Sequence, residues 1–132
     1  MTKFALKSLS SIVGKQEIDL LIENDVCYFE EFEDEIKERH QKYNNELGSL
    51  LQILERLSNG ESLPNEKFKD ITPEKELVKE YEVKTKHLRI YLIKKTDGKI
   101  IVLGGYKNRQ KKDIRKFRSI KSRYLDYKIR KE

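Results

Sequence analysis

Lys84, Lys86, His87 and Arg89 crowd into one short stretch of the chain. Lys107, Arg109, Lys111, Lys112 and Arg115 follow a little later, and Tyr91, Tyr106, Tyr124 and Tyr127 are interleaved with them. Ammonium and guanidinium groups neutralise phosphates, and tyrosine rings stack on unpaired bases. Such stacking contributes about 1–3 kcal/mol per base. A histidine that titrates near neutrality can move a proton at the same place. Together these residue types suit RNA. The plainer reading is a basic solvated surface with the tyrosines in the core. His87 also reads more simply as a turn residue between two basic strands, and His40, on an acidic stretch, as a surface residue.

The charge distribution points the same way. The chain of 132 residues carries a net +6, but residues 81–132 hold 18 Lys+Arg against 5 Asp+Glu, whereas residues 1–80 hold 11 against 18. A split of this size suggests that one end meets a polyanion, or that the two halves attract each other. Familiar enzyme signatures are missing: no P-loop, no Rossmann glycine set, no HExxH and no nucleophile elbow. The single cysteine, Cys27, has no partner for a disulfide and belongs to no metal-ligand spacing, so it reads as a small buried apolar residue. The N-terminal MTKFALKSLSSIVG lacks a continuous apolar core for a signal peptide, and no stretch approaches the ~20 apolar residues of a membrane span. The expectation is a cytoplasmic protein with no membrane association.

The cationic residues need elements to position them. Residues 3–13 are weakly patterned and fit a strand or a short helix, and residues 17–22 (EIDLLI) predict a short strand ended by Asn24-Asp25. From about residue 28 the period becomes helical, with Phe29, Phe32 and Ile36 on one side. A break near Tyr43-Asn44-Asn45 precedes a second helix, whose stripe is Leu47, Leu50, Leu51, Leu54 and Leu57 and which stops at Asn59-Gly60. Residues 58–76 form a long polar connector with Pro64 and Pro73. Residues 80–106 predict a three-stranded antiparallel meander. Tyr81, Val83 and Thr85 alternate with Glu82, Lys84 and Lys86, and Leu88, Ile90 and Leu92 alternate with Arg89, Tyr91 and Ile93. Asp97-Gly98 marks the hairpin before KIIVLGGY. Residues 110–128 predict a basic helix with Ile114, Phe117, Lys121 and Tyr124 on its inner side. The expected fold is α+β: two N-terminal helices (28–60) packed on a small antiparallel sheet, a C-terminal basic helix, and residues 1–27 as an extension that adds a strand or two, all within one domain.

The order of these motifs resembles the C-terminal core of the RelE/HigB toxins of the RelE/ParE superfamily, most of all the phage-derived, HigB-like branch. The stretches that carry the resemblance are Tyr81–Lys84 (YEVK), His87–Tyr91 (HLRIY), Lys99–Lys107 (KIIVLGGYK) and the basic helix after them. The leucine-rich helix and the SNGESLPNEKFKDIT link before the sheet also look like the family's, so the resemblance covers roughly residues 28–128.

The resemblance implies a toxin of a type II toxin–antitoxin pair. Such a protein cleaves mRNA, often in the ribosomal A site, by attack of a 2′-hydroxyl on the adjacent phosphorus, and uses no metal or other cofactor. It would be held inactive in a hetero-oligomer with a helix-turn-helix antitoxin. Carried over residue by residue, Lys84, Lys86 and Arg89 would form the catalytic phosphate site, with His87 as acid or base and Tyr124 or Tyr127 standing for a tyrosine of the last helix. Lys107 and Arg109 match the family's basic residues after the third strand, and by residue type Lys111, Lys112, Arg115, Tyr91 and Tyr127 would join them in binding RNA. A toxin of the same fold that inhibits gyrase, as ParE-type toxins do, and an RNA-binding module without toxicity are the alternatives.

Overall fold

The run Glu17–Glu23 (EIDLLIE) is buried at almost every position after its first residue, the mark of a strand covered on both faces rather than one that alternates. The computed structural model, which describes residues 2–12 and 14–131, places this strand, β2, inside a seven-stranded sheet. Its antiparallel neighbour on the edge is β1 (Phe4–Ser8). The 3–13 stretch is thus partly a strand, and Val13 lies outside the described residues. Asn24 and Asp25 take positive φ values of 49° and 69° and turn the chain into the short β3 (Val26–Cys27), which pairs back onto β2. Both residue types tolerate the left-handed region that such a two-residue turn requires.

Helix α1 (Tyr28–Arg39) follows directly and buries Phe29, Phe32 and Ile36. A 3-10 turn over Gln41–Tyr43 leads to α2 (Asn44–Ser58), which buries Leu47, Leu50, Leu54 and Leu57, with Ile53 added to the expected stripe. The end of α2 is closed by bonds from the Gly60 amide to the Leu57 carbonyl (3.0 Å) and from the Glu61 amide to the Arg56 carbonyl (3.1 Å), the paired closure typical of a helix that stops at glycine. The connector is not wholly irregular. It contributes β4 (Phe68–Asp70), an edge strand on β5 (Glu80–Lys84). Then come β6 (Leu88–Lys95), β7 (Gly98–Tyr106), a 3-10 turn over Lys107–Arg109, and α3 (Gln110–Lys131).

The sheet order is β1-β2-β7-β6-β5-β4, with β3 pairing β2 off this path. Two expectations are corrected here. The sheet is mixed, because β2 lies parallel to β7 with Glu17 opposite Gly98 and Leu20 opposite Ile101. The two helices do not lead the chain; three strands precede them. Both faces of the sheet are covered: one cluster joins Leu88, Ile90 and Leu92 to α1 and α2, and another joins Tyr91, Ile93 and Val102 to Phe117, Ile120 and Tyr124 of α3. No helix among the described residues is long and apolar enough to cross a membrane.

The β6–β7 turn is displaced by one residue from the expected Asp97-Gly98. Gly98 already pairs with Lys95. A Cβ on Gly98 would lie 1.9 Å from the Glu17 carbonyl oxygen, so the residue is glycine because β2 passes close by, not because of the turn. Gly104 has a similar role on the other side: a Cβ there would meet the Phe32 ring at 2.2 Å, and its absence lets α1 settle on β7.

The α3 face carries an internal ion network. Lys121 is 2% exposed and Glu80 is fully buried. The Lys121 ammonium donates to Glu80 (2.8 Å), to Glu76 (3.1 Å) and to the Val78 carbonyl (2.8 Å), while Arg118 Nε donates to the other Glu80 oxygen at 3.0 Å. The lysine on the inner side of α3 therefore buries its charge as well as its stem, against an acid from β5, and fastens the connector to the helix.

Candidate functional site

Glu46, in the first turn of α2, organises the turn between β5 and β6. Its carboxylate accepts from the Thr85 hydroxyl, from the backbone amides of His87 (2.6 Å) and Leu88 (3.0 Å), and pairs with His87 Nδ1 at 2.9 Å. Burial pushes the Glu46 carboxyl up, but bonds from Thr85, the His87 amide and the His87 ring outweigh it and hold the group below its usual range. A carboxylate is an acceptor only, so the His87 nitrogen facing it carries the hydrogen. In the neutral ring, Nε2 then keeps its lone pair.

His87 lines a cavity of about 560 Å³, together with His40, Lys42, Tyr43, Tyr106, Lys107, Asn108, Arg109 and Glu35. The ring of Tyr43 lies 5.1 Å from His87 and 6.3 Å from His40, centre to centre. Tyr106 lies 5.5 Å from His40 and 6.2 Å from Tyr43. The Tyr106 hydroxyl donates to Glu35 at 2.6 Å, and the same carboxylate oxygen stands 3.9 Å from His40 Nε2. Burial, and then this bond to Glu35, push the Tyr106 hydroxyl well above its ordinary range, so it stays protonated. Lys42 Nζ lies 5.2 Å from the centre of the Tyr43 ring. The cavity thus combines two imidazoles, two phenol rings and three cationic side chains.

Sequence reasoning missed His40, Tyr43, Glu35 and Glu46. His40 ends α1 and Tyr43 ends the 3-10 turn, and each looks like a surface residue in its own segment. Only the packing of α1 and α2 over the sheet brings them to His87. The local signal that existed was the pairing of two aromatic residues around a helix break.

The residues expected from sequence fall into five places. His87, Lys107 and Arg109 line the cavity just described. Lys84, Lys86 and Arg89 line a neighbouring cleft that shares Lys107 with it. Arg89, however, is only 6% exposed, and its Nη1 donates to the carbonyls of Thr85 (2.6 Å) and Leu88 (2.8 Å). Its side chain leaves the sheet on the face that α3 covers, with Nε 3.9 Å from Glu82. It is a brace for the turn rather than the open phosphate ligand expected from sequence. Tyr91 is likewise corrected. It is fully buried and stacks on Phe117 at 5.5 Å, so no base can reach it.

Tyr124 is buried against Phe4, with ring centres 5.4 Å apart. It lies on α3 about 20 Å along the helix from Lys111, at the usual rise per residue, and does not join the His87 cavity. Tyr127 is half-buried beside Phe4 at 5.5 Å, in a separate pocket with Arg123 and Arg130. Lys111, Lys112 and Arg115 are exposed on the first turns of α3, with Lys112 lining a pocket next to Arg109 and Tyr106. Cys27 is buried and unpaired, as expected. Among the described residues, no group of three His, Cys, Asp or Glu side chains is arranged to hold a metal ion.

No family model matches the chain, and no curated protein and no solved structure matches it. What fold and site define is an α+β chain with a mixed sheet and three helices, in which one cavity gathers two histidines, two tyrosines and a basic rim.

Proposed function

We propose that this chain is a toxin of the type II toxin–antitoxin class that cuts mRNA by metal-independent transesterification, engaging RNA in the ribosomal A site and neutralised by a helix-turn-helix antitoxin. The sequence resemblance to RelE/HigB toxins motivates the reading. The observation that carries it is that His40 and His87 line one cavity beside stacking rings and the cations Lys42, Lys107 and Arg109.

Cleavage of this kind needs a base, an acid, a brace for the flanking base and charge to meet the phosphorane. His87, held through Nδ1 by Glu46, takes the 2′-hydroxyl proton on Nε2. The 2′-oxygen then bonds to the adjacent phosphorus, and the bond from phosphorus to the 5′-oxygen breaks. His40, in its protonated form, gives its proton to that leaving oxygen, so the products are a 2′,3′-cyclic phosphate and a free 5′-hydroxyl. Lys107 and Arg109 face the charge that builds on the non-bridging oxygens. Tyr43 and Tyr106 offer ring faces to a base that has left its stack.

The test is expression in bacteria with a reporter mRNA, followed by mapping of the cut ends. Growth arrest with cuts inside translated codons and cyclic phosphate ends is the expected result. Acid–base groups of this kind contribute about 10²–10⁴-fold, so His87→Ala and His40→Ala should each reduce cleavage by at least about a hundredfold. Arrest with intact mRNA, or cleavage untouched by either substitution, refutes the reading.

A further inference from the structure

The second cleft, of about 720 Å³, lies next to the histidine cavity and shares Lys107 with it. Its walls carry Lys67, Lys84, Lys86 and Lys107. Among the described residues none of these four takes part in an ion pair. Two acids, Glu46 and Glu66, and two further cations, Arg56 and Arg89, line the same cleft. The Glu46 carboxylate is turned to the Thr85–Leu88 turn, Arg56 is paired with Glu61 at 3.1 Å and Arg89 donates to turn carbonyls, so the four lysines still outnumber the two carboxylates.

The backbone fixes where these lysines stand. The Lys84 amide donates to the Lys67 carbonyl at 2.8 Å, and the Lys107 amide donates to the His87 carbonyl at 2.8 Å. Lys86 sits in the turn between them, the same turn that Glu46 and Arg89 brace. Four unpaired cations are thus set by strand ends and a doubly braced turn around one concavity. Flexible lysines on a plain surface gain nothing from such an arrangement, since like charges gathered together repel.

We infer that this cleft is a second subsite, which holds the phosphates of a single-stranded RNA on one side of the nucleotide seated between His40 and His87. The inference rests on the nuclease reading for the identity of the strand. It adds that the substrate is a strand several nucleotides long, not a dinucleotide, and that Lys84 and Lys86 hold the strand rather than the scissile phosphate. Ser49 and Gln52 of α2 also line this cleft and add neutral hydrogen-bonding groups to it.

The experiment measures binding, not cleavage, with 2′-O-methyl oligonucleotides of two and eight nucleotides that cannot be cut. Fluorescence anisotropy is followed against salt for the parent, for Lys84→Gln/Lys86→Gln, and for Lys128→Gln/Lys131→Gln as a control of equal charge loss at the far end of α3. Each single-strand phosphate contact gives a slope of about 0.7 in log K against log salt. The cleft variant should therefore lower the slope for the eight-nucleotide strand by about 1.4 and weaken its binding roughly 25-fold at 0.1 M salt. Binding of the dinucleotide should not change, and the control should leave the slope unaltered. An eight-nucleotide strand bound no more tightly than the dinucleotide, an unchanged slope in the cleft variant, or an equal loss in both variants overturns the inference. If the strand effect holds while the parent cuts no RNA, the nuclease reading fails and the strand site stands.

Discussion

Replacing Lys121 with methionine should destabilise the fold far more than an ordinary surface change on a basic helix. The ammonium is enclosed by the Glu80 and Glu76 carboxylates and the Val78 carbonyl at 2.8–3.1 Å. Removing one partner of a buried ion pair costs about 3–5 kcal/mol, because the other charge is left buried. Glu80 keeps one partner, Arg118 Nε at 3.0 Å, which sets the loss near the lower end, about 3 kcal/mol. With an unfolding entropy of about 2.1 cal/mol/K per residue, the melting temperature should fall by roughly 11 °C. Neutralising the acid as well, in Glu80→Gln/Lys121→Met, should restore most of the loss, since no buried charge then lacks its counterpart. Urea unfolding followed by circular dichroism measures both variants. A single variant within about 1 kcal/mol of the parent, or a double variant no better than the single, refutes the account of this network as a buried, mutually dependent pair.

Gly104→Ala should destabilise by about 1–3 kcal/mol through the clash with Phe32, read in the same urea titration. Asp113 is buried with one unpartnered oxygen, and burial raises its carboxyl above the usual range. Its native form binds a proton more tightly than the unfolded chain does, so it loses stability as pH rises through the raised value. Asp113→Asn should accordingly raise the melting temperature at pH 7, and the gain should shrink as pH falls below the ordinary carboxylate range. Glu23 has the opposite sign: bonds from Arg123 at 2.7 and 2.9 Å hold its carboxyl low. That stabilisation is complete above the ordinary carboxylate pKa and disappears as pH falls through the lowered one, so the melting temperature of Arg123→Gln should vary less than the parent's in acid. Tyr91→Phe should leave binding of the eight-nucleotide strand unchanged, because the ring is sealed under α3; weaker binding would reopen its assignment.

The sequence made the middle of the sheet plain because period-two alternation and a turn dipeptide are local signals. The strand pair of Leu88 and Arg89 with their neighbours, and the stripe of Leu47 to Leu57, could be read without knowing what they touch. The partner of β2 could not. Its apolar run says that both faces are covered, but the choice of β7, in parallel, is made by the packing of the whole chain. β4 is three residues long and mostly exposed, which gives no period to detect. The reading of Arg89 as an open phosphate ligand and of Tyr91 as a residue that meets RNA failed for a specific reason: the inner side of α3, with Phe117 and Tyr124, needed an apolar surface, and this face of the sheet was the one left to supply it. The cavity was half legible. His87 with Lys107 and Arg109 came from neighbouring strand ends, whereas His40 and Tyr43 came from a helix break whose position over the sheet no local pattern records.

The parallel pairing of β2 with β7 also dictates an order of events in time. Leu20 cannot find Ile101 until about eighty further residues have been made, which at about 5–20 residues per second takes roughly 4–16 s. Through that interval the first strands leave the ribosome with Leu20 and Leu21, later buried, lacking the neighbour that covers them. A nascent chain stopped before β7 has no central strand, and one stopped before α3 leaves a full sheet face bare. The histidine cavity, which needs Tyr106 and Lys107, is therefore among the last parts of the molecule to exist, and no early fragment of the chain can carry its chemistry.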